Sequence, residues 1–294
     1  MDTIVELSKT ARFEVRPIGA PLGADILDFP FDDCRQDDVD LMRRAWVKHQ
    51  VVRFRHTRIT DEQQIFFSSM LGPFVIHPRQ LQEGSHASHR EILVISNAKK
   101  PDGSPAGDLG DREVHWHTDT WFKERPPSAS ILRALELSNQ GGNTYFKNMY
   151  MVYESLPPTL KAAIDGRSIH HQYVYDGRGD LRMGMTKPEN DDIRTWPGVA
   201  HPIVRTHGES GRKCLYLGGR RLAWIIGLPL DESDELLDQL WAEVVGAGFV
   251  WRQEWEPGDM VMWDNRCVMH RRDAFDPSTI RLMHRTAIEG ERPV

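Results

Sequence analysis

The sequence predicts an α+β fold dominated by β-structure. Three observations carry that expectation. Short runs with strand-like composition recur along the chain, helical periodicity sits mostly in its early and late parts, and the connections are irregular. A doubly wound sheet would instead show regular strand–helix alternation.

The elements follow in order. Phe13 to Pro17 alternates apolar and polar residues, and Val51 to Arg55 is a short β-rich run; both suit half-buried strands. Between them, Asp38 to Gln50 places Val39, Met42, Ala45 and Trp46 at helical spacing. Thr60-Asp61-Glu62-Gln63 has capping-box spacing and opens a second helix, predicted to turn Ile65, Phe66, Met70 and Leu71 inward and to stop at Gly72-Pro73. Ile92 to Ser96, Ser130 to Leu135 and Lys213 to Leu217 read as sheet. A helix from about Glu232 to Val245 buries Leu236, Leu237, Leu240 and Val244, with Gly246 or Gly248 as its C-terminal cap. Gln253 to Trp263 leads back into sheet, and Arg281 to Ile288 is the last strand. The stretches 79–89, 99–112 and 177–198 are polar, without a clear period. Loops of that length in a compact domain are lids, binding loops or disordered segments.

Composition sets the outer bounds. The chain has 294 residues, enough to bury a sizeable core, and 27% charged and 39% hydrophobic residues are ordinary for a globular protein. A net charge of −6 argues against an electrostatic nucleic-acid binder, and no apolar run is long enough to span a bilayer. Cys34, Cys214 and Cys267 are too few and too scattered for a disulfide framework. The first residues lack a basic stretch followed by an apolar one. The expected setting is therefore the cytoplasm, with no membrane and no nucleic acid as partner. A homo-oligomer is compatible with the sequence.

Two distant segments carry the chemistry. One is His117-Thr118-Asp119, within Glu113 to Phe122; the other is His270, at the end of Trp263-Asp264-Asn265-Arg266-Cys267-Val268-Met269-His270. On a strand, residues two apart share a face, so His117 and Asp119 can meet one ion while Thr118 points away. With a distant His, H-x-D forms the two-histidine, one-carboxylate set that leaves Fe(II) open positions for a chelating cosubstrate and O₂. Zinc accepts a similar set. His115 and His117 are also a same-face pair that would displace Asp119. On the last strand Arg281, Met283, Arg285 and Ala287 share one face, so two guanidinium groups close after His270 could hold two carboxylate-like groups, or could simply pair on a sheet surface.

These segments fall into a recognised order. Trp116-His117-Thr118-Asp119, Gly141-Gly142-Asn143-Thr144, Val204-Arg205-Thr206-His207 through Ser210 to Lys213, Trp263-Asp264-Asn265-Arg266 through His270, and Arg281-x-x-His284-Arg285 resemble the taurine dioxygenase / 2,4-dichlorophenoxyacetate dioxygenase family from about Phe13 to the C-terminus. The resemblance implies one domain over 1–294, with a double-stranded β-helix (jelly-roll) core and flanking helices. The long loops near 79–112 and 177–198 would border the active site. It makes His117, Asp119 and His270 the Fe(II) ligands, and Arg281 and Thr144 the residues that hold the far carboxylate of 2-oxoglutarate. Arg285 would pair with the anionic group of the substrate, and His77 matches a substrate-contacting histidine. The implied reaction uses Fe(II), 2-oxoglutarate and O₂ to hydroxylate a small anionic organic substrate (a sulfonate, an aryloxyalkanoate or similar) beside a heteroatom. Succinate and CO₂ form, and the product often fragments to an aldehyde or ketone. The rivals are a metal-dependent hydrolase and a non-catalytic ligand-binding jelly roll. Gly218-Gly219-Arg220-Arg221 with Trp224 departs from a taurine pocket; its content suits a larger or aryl-bearing anion, unless the arginines merely sit exposed on a turn.

Overall fold

The computed structural model describes residues 11–77, 80, 88–176, 179–182 and 184–294. The strands are β1 (Glu14–Pro17), β2 (Ala24–Leu27), β3 (Val51–Phe54), β4 (Leu93–Ser96), β5 (Asp108–Leu109), β6 (Val114–His117), β7 (Ala129–Glu136), β8 (Thr144–Asn148), β9 (Ser168–Gln172), β10 (Gly198–Pro202), β11 (Val204–Thr206), β12 (Lys213–Leu215), β13 (Ala223–Ile225), β14 (Val250–Gln253), β15 (Met260–Asp264), β16 (Val268–Arg272) and β17 (Leu282–Ile288). The helices are α1 (Gln36–His49), α2 (Asp61–Ser69), α3 (Met149–Ser155), α4 (Pro158–Ile164) and α5 (Leu230–Gly246). The protein is mainly β, with few helices, as the strand-rich sequence predicts.

Two sheets build the centre. The larger runs β1-β2-β3-β15-β7-β17-β4-β5 and the smaller β14-β8-β16-β6. Period-two alternation divides their side chains between two cores. On β15, Val261 and Trp263 join the cluster shared with the smaller sheet, together with Leu132, Met283, Phe146 and Val268. Met260 and Met262 point the other way and pack with Val39, Met42, Ala45 and Trp46 of α1 and Phe67 of α2. A two-sided strand of this kind reads as a nearly unbroken apolar run, which is how Met260 to Trp263 reads.

The local expectations hold for α1, whose four predicted apolar residues are all buried. Helix α2 has its predicted capping box, since Thr60 and Gln63 exchange side-chain-to-backbone hydrogen bonds. Its inward face differs: Gln64, Phe67 and Ser68 are buried, whereas Phe66 is 53% exposed. The face is polar because it serves the sheet. Gln64 donates to the carbonyls of Ile131 and His284, and the Ser68 hydroxyl bonds that of Thr286 at 2.7 Å. Helix α5 ends on Ala247 in extended conformation, with neither glycine acting as a left-handed cap. The segment from Gln253 to Trp263 leads back into sheet as expected: it leaves β14 at Gln253 and, after a turn, enters the other sheet as β15. Of the long loops, most of 79–89 and residues 177, 178 and 183 lie outside the described residues.

Candidate active site

Antiparallel pairing of β16 with β6 places His270 directly opposite His117. Their imidazole centroids are 4.2 Å apart. Strand β6 ends at His117, so Asp119 reaches the same point from the following turn and not from a continued strand, as the H-x-D spacing had suggested. Thr118 is buried and its N–H is held by the carbonyl of Gly218, and Thr120 has φ +42°. The ligand atoms of His117, Asp119 and His270 lie within 4.8 Å of one another. Asp119 Oδ1 is 3.8 Å from Nε2 of each histidine. His115 is excluded from the cluster: its side chain is 87% exposed.

The protonation pattern suits a divalent cation. His117 Nδ1 lies 2.8 Å from the carbonyl of His115, which can only accept, so Nδ1 carries the proton and the Nε2 lone pair faces Asp119. Burial pushes His117 below the usual imidazole range and His270 down to about 3, with the neighbouring imidazole adding to the second shift. Burial opposes the Asp119 charge, but Arg285, both histidines and Ser130 outweigh it and hold the carboxyl well below its usual range. The result is two neutral imidazoles and one carboxylate.

Residues from the larger sheet orient that carboxylate. Ser130 on β7 donates to Asp119 Oδ2 at 2.6 Å, and Asn265 donates to Ser130 Oγ at 2.9 Å. Trp263 Nε1 in turn donates to Asn265 Oδ1 at 3.0 Å. Arg285 Nη1 donates to Asp119 Oδ1 at 3.0 Å, while its Nε is buried without a partner. Ser130 was not foreseen, because one serine on a strand carries no spacing signal.

A cavity of about 50 Å³ opens beside His117, Asp119 and His270, lined in part by Leu109, Thr144, Arg272, Arg281 and Arg285. Thr144 and Arg281 are brought together by the Gly141-Gly142 turn. Gly142 has φ +73°, and a Cβ there would lie 3.2 Å from Arg281 Nε, so glycine makes both the turn and the space. Trp255 Nε1 donates to Thr144 Oγ1 at 3.0 Å, which leaves the hydroxyl proton free to donate into the cavity. Burial and the nearby Arg272 push Arg281 down to about 9, still charged at neutral pH. Arg272 is a second residue that sequence reading passed over, although its place two residues after His270 puts both on one strand face.

A smaller recess shares the Asp119–Arg285 pair with that cavity and is lined also by Val75, His77, Gln80, Leu93, Pro127 and Ala287. His77 is therefore near the site, and its backbone N–H donates to the Gln80 side chain. The Gly218-Gly219 backbone lies against the Trp121 ring, and Arg220 pairs with Asp234 and Asp238 of α5. Arg220 is thus committed to a surface ion pair. The second cluster of potential metal ligands, His207, Asp264 and Cys267, is closed by its own charges: Arg266 grips both Asp264 oxygens at 2.8 Å, and His207 takes one at 3.0 Å.

The family described as "Taurine catabolism dioxygenase TauD, TfdA family" matches residues 14–287. The alpha-ketoglutarate-dependent 2,4-dichlorophenoxyacetate dioxygenase of Cupriavidus pinatubonensis is 33% identical over 259 residues, covering 84% of this chain and 87% of its own. Pentalenolactone F synthase of Streptomyces arenae is 32% identical, covering 92% and 93%. The crystal structure of AAD-2 in complex with Mn(II) and N-oxalylglycine superposes with a TM-score of 0.76 at 28% identity, over 96% of this chain and 98% of that one. A facing histidine pair, a shared carboxylate and a match across almost the full length place this chain in the TauD/TfdA dioxygenase family.

Proposed function

We propose that this protein is an Fe(II)- and 2-oxoglutarate-dependent dioxygenase that hydroxylates a small anionic organic substrate. The observation that carries the reading is the joint arrangement of a neutral-His₂, one-carboxylate cluster and a buried cationic cavity beside it. The core is read as a double-stranded β-helix, and the chain as one domain, supported by the two sheets and the core cluster they share. Leu109 and Gln80 line the site, which supports the 79–112 segment as an active-site loop. For 177–198 the support is that Arg182 lies 3.6 Å over the ring of Phe122, just past Asp119.

The donor set fits the metal. His117 and His270 offer neutral nitrogens, Asp119 offers a charged oxygen, and Ser130 and Arg285 keep that carboxylate oriented and ionised. The cavity fits a dicarboxylate: Arg281 has a buried Nε without a partner, and Thr144 has a proton to donate. When bound, Fe(II) and 2-oxoglutarate would supply the coupling of oxidative decarboxylation, to succinate and CO₂, with hydroxylation by O₂. The chain's part is placement. Arg281 and Thr144 hold the cosubstrate's far end. Arg285, which lines both compartments, presents its unpartnered Nε–H to a substrate anion in the recess of His77, Val75, Leu93, Pro127 and Ala287. That apolar lining favours a C–H-bearing group next to the anion, as in a sulfonate or an aryloxyalkanoate. Misplacement by about 1 Å can cost on the order of 10²-fold in rate.

The test is succinate formation by anaerobically Fe(II)-loaded protein with 2-oxoglutarate, on exposure to air, across small sulfonates, aryloxyalkanoates and sulfate esters. Stimulation by one class is expected and identifies the anionic group. Failure of the Fe(II)-loaded protein to develop a metal-to-ligand charge-transfer band with 2-oxoglutarate would overturn the reading.

A further inference from the structure

Arg272 stands on the cavity face of β16, directly opposite Thr144 on β8. It is 6% exposed and lines the same cavity as Thr144 and Arg281. Its guanidinium is only half used. Nη2 donates to the carbonyls of Arg112 and Leu109, whereas Nε and Nη1 are buried without partners. Arg281 is similar: Nη2 makes one long contact, 3.4 Å, with the carbonyl of Gly142, and Nε has none. Both guanidinium groups lie over the Phe275 ring, at 5.1 and 5.7 Å from its centroid. Asp111 acts on Arg272 through space alone.

Two buried like charges with open N–H groups are costly unless an anion joins them. One carboxylate offers about four lone-pair sites, more than Arg281 and Thr144 fill. We propose that Arg272 is a second binding residue for the distal carboxylate of 2-oxoglutarate, and that it sets the preference for a dicarboxylic over a monocarboxylic 2-oxo acid. The inference rests on the cosubstrate reading above. By holding the backbone at Leu109 and Arg112, the same side chain makes the 109–112 segment a wall of the cosubstrate compartment.

The experiment is anaerobic calorimetric titration of the Fe(II)-loaded protein, its Arg272→Gln variant and its Arg272→Lys variant. The ligands are 2-oxoglutarate and 2-oxopentanoate, which keeps the chelating end and lacks the distal carboxylate. Removing one partner of a buried, hydrogen-bonded charge pair predicts roughly 30-fold weaker 2-oxoglutarate binding in Arg272→Gln. Binding of 2-oxopentanoate is expected to be unchanged, and Arg272→Lys to recover part of the loss. Equal weakening of both ligands would overturn the proposal, since the guanidinium would then serve only the 109–112 backbone. Unchanged 2-oxoglutarate affinity would overturn it as well. If Arg272→Gln does not fold, Arg272→Lys decides by the ratio of the two affinities. A native protein that binds neither acid would sink the cosubstrate reading itself, whereas a native protein and an Arg272→Gln variant that prefer 2-oxoglutarate to the same extent would sink only this inference.

Discussion

Ser130 shows what a single hydroxyl does in this site. Its Oγ donates to Asp119 Oδ2 and accepts from Asn265, tying the carboxylate to the Trp263–Asn265 segment. Groups that orient a metal ligand typically contribute 10- to 100-fold in metal affinity. Ser130→Ala should therefore weaken Fe(II) binding by about that factor while the fold persists; unchanged affinity in a metal titration would show that the turn alone orients Asp119. At this scale the clustering of His117, Asp119 and His270 was legible because H-x-D and a distant His form a recognisable set. Ser130 was not legible, since its role depends on β7 passing beneath a turn eleven residues earlier in the chain. Arg272 was half legible: its face followed from His270, but its unused N–H groups did not.

Helix α2 shows where periodicity misleads at the scale of an element. Apolar spacing assigned Phe66 to the inner face, yet the sheet beneath requires hydrogen-bond donors, and Gln64 and Ser68 take that face with Phe67. The two adjacent phenylalanines therefore predict opposite outcomes. Phe67→Ala should cost about 3–5 kcal/mol, from lost burial and the cavity left behind. Phe66→Gln should stay within about 0.5 kcal/mol of the parent. Urea unfolding checks both, and a large loss from Phe66→Gln would contradict the observed orientation. The last strand was read correctly in its two faces: Met283 joins the inner core and Arg285 the site, while Thr286 meets α2 and Ile288 the outer core. Strand alternation survives tertiary packing better than a nine-residue helix does, because a one-residue slip in register would reverse every side chain at once.

Acid sensitivity belongs to the whole molecule. His171 on β9 is 1% exposed, both its ring nitrogens lack partners, and burial, with His201 and His170 adding to it, holds it well below the usual range. Because the folded pKa is depressed, the folded imidazole refuses a proton that the unfolded chain accepts below about 6.5. Stability at this position is thus fully present above that pH and falls as pH drops, by up to about 2 kcal/mol between pH 6.5 and 5. His117, His270 and His201 act with the same sign. His171→Leu should flatten the pH dependence of urea stability across this window; an unchanged slope would show that the buried imidazole is protonated in the folded state. Local sequence was enough to anticipate the mainly β class, the helix α1 and His117, Asp119 and His270 as a candidate cluster, because alternation and motif spacing act over a few residues; that His115 stays outside the cluster was decided by the fold. Folding alone decided that Asp119 arrives from a turn, that Arg285 pairs with it, and that Arg272 and Arg281 share a cavity with no ion-pair partner among the described residues. Those facts depend on the register between strands more than a hundred residues apart, such as β6 and β16, and register is set by which side chains fill the common core.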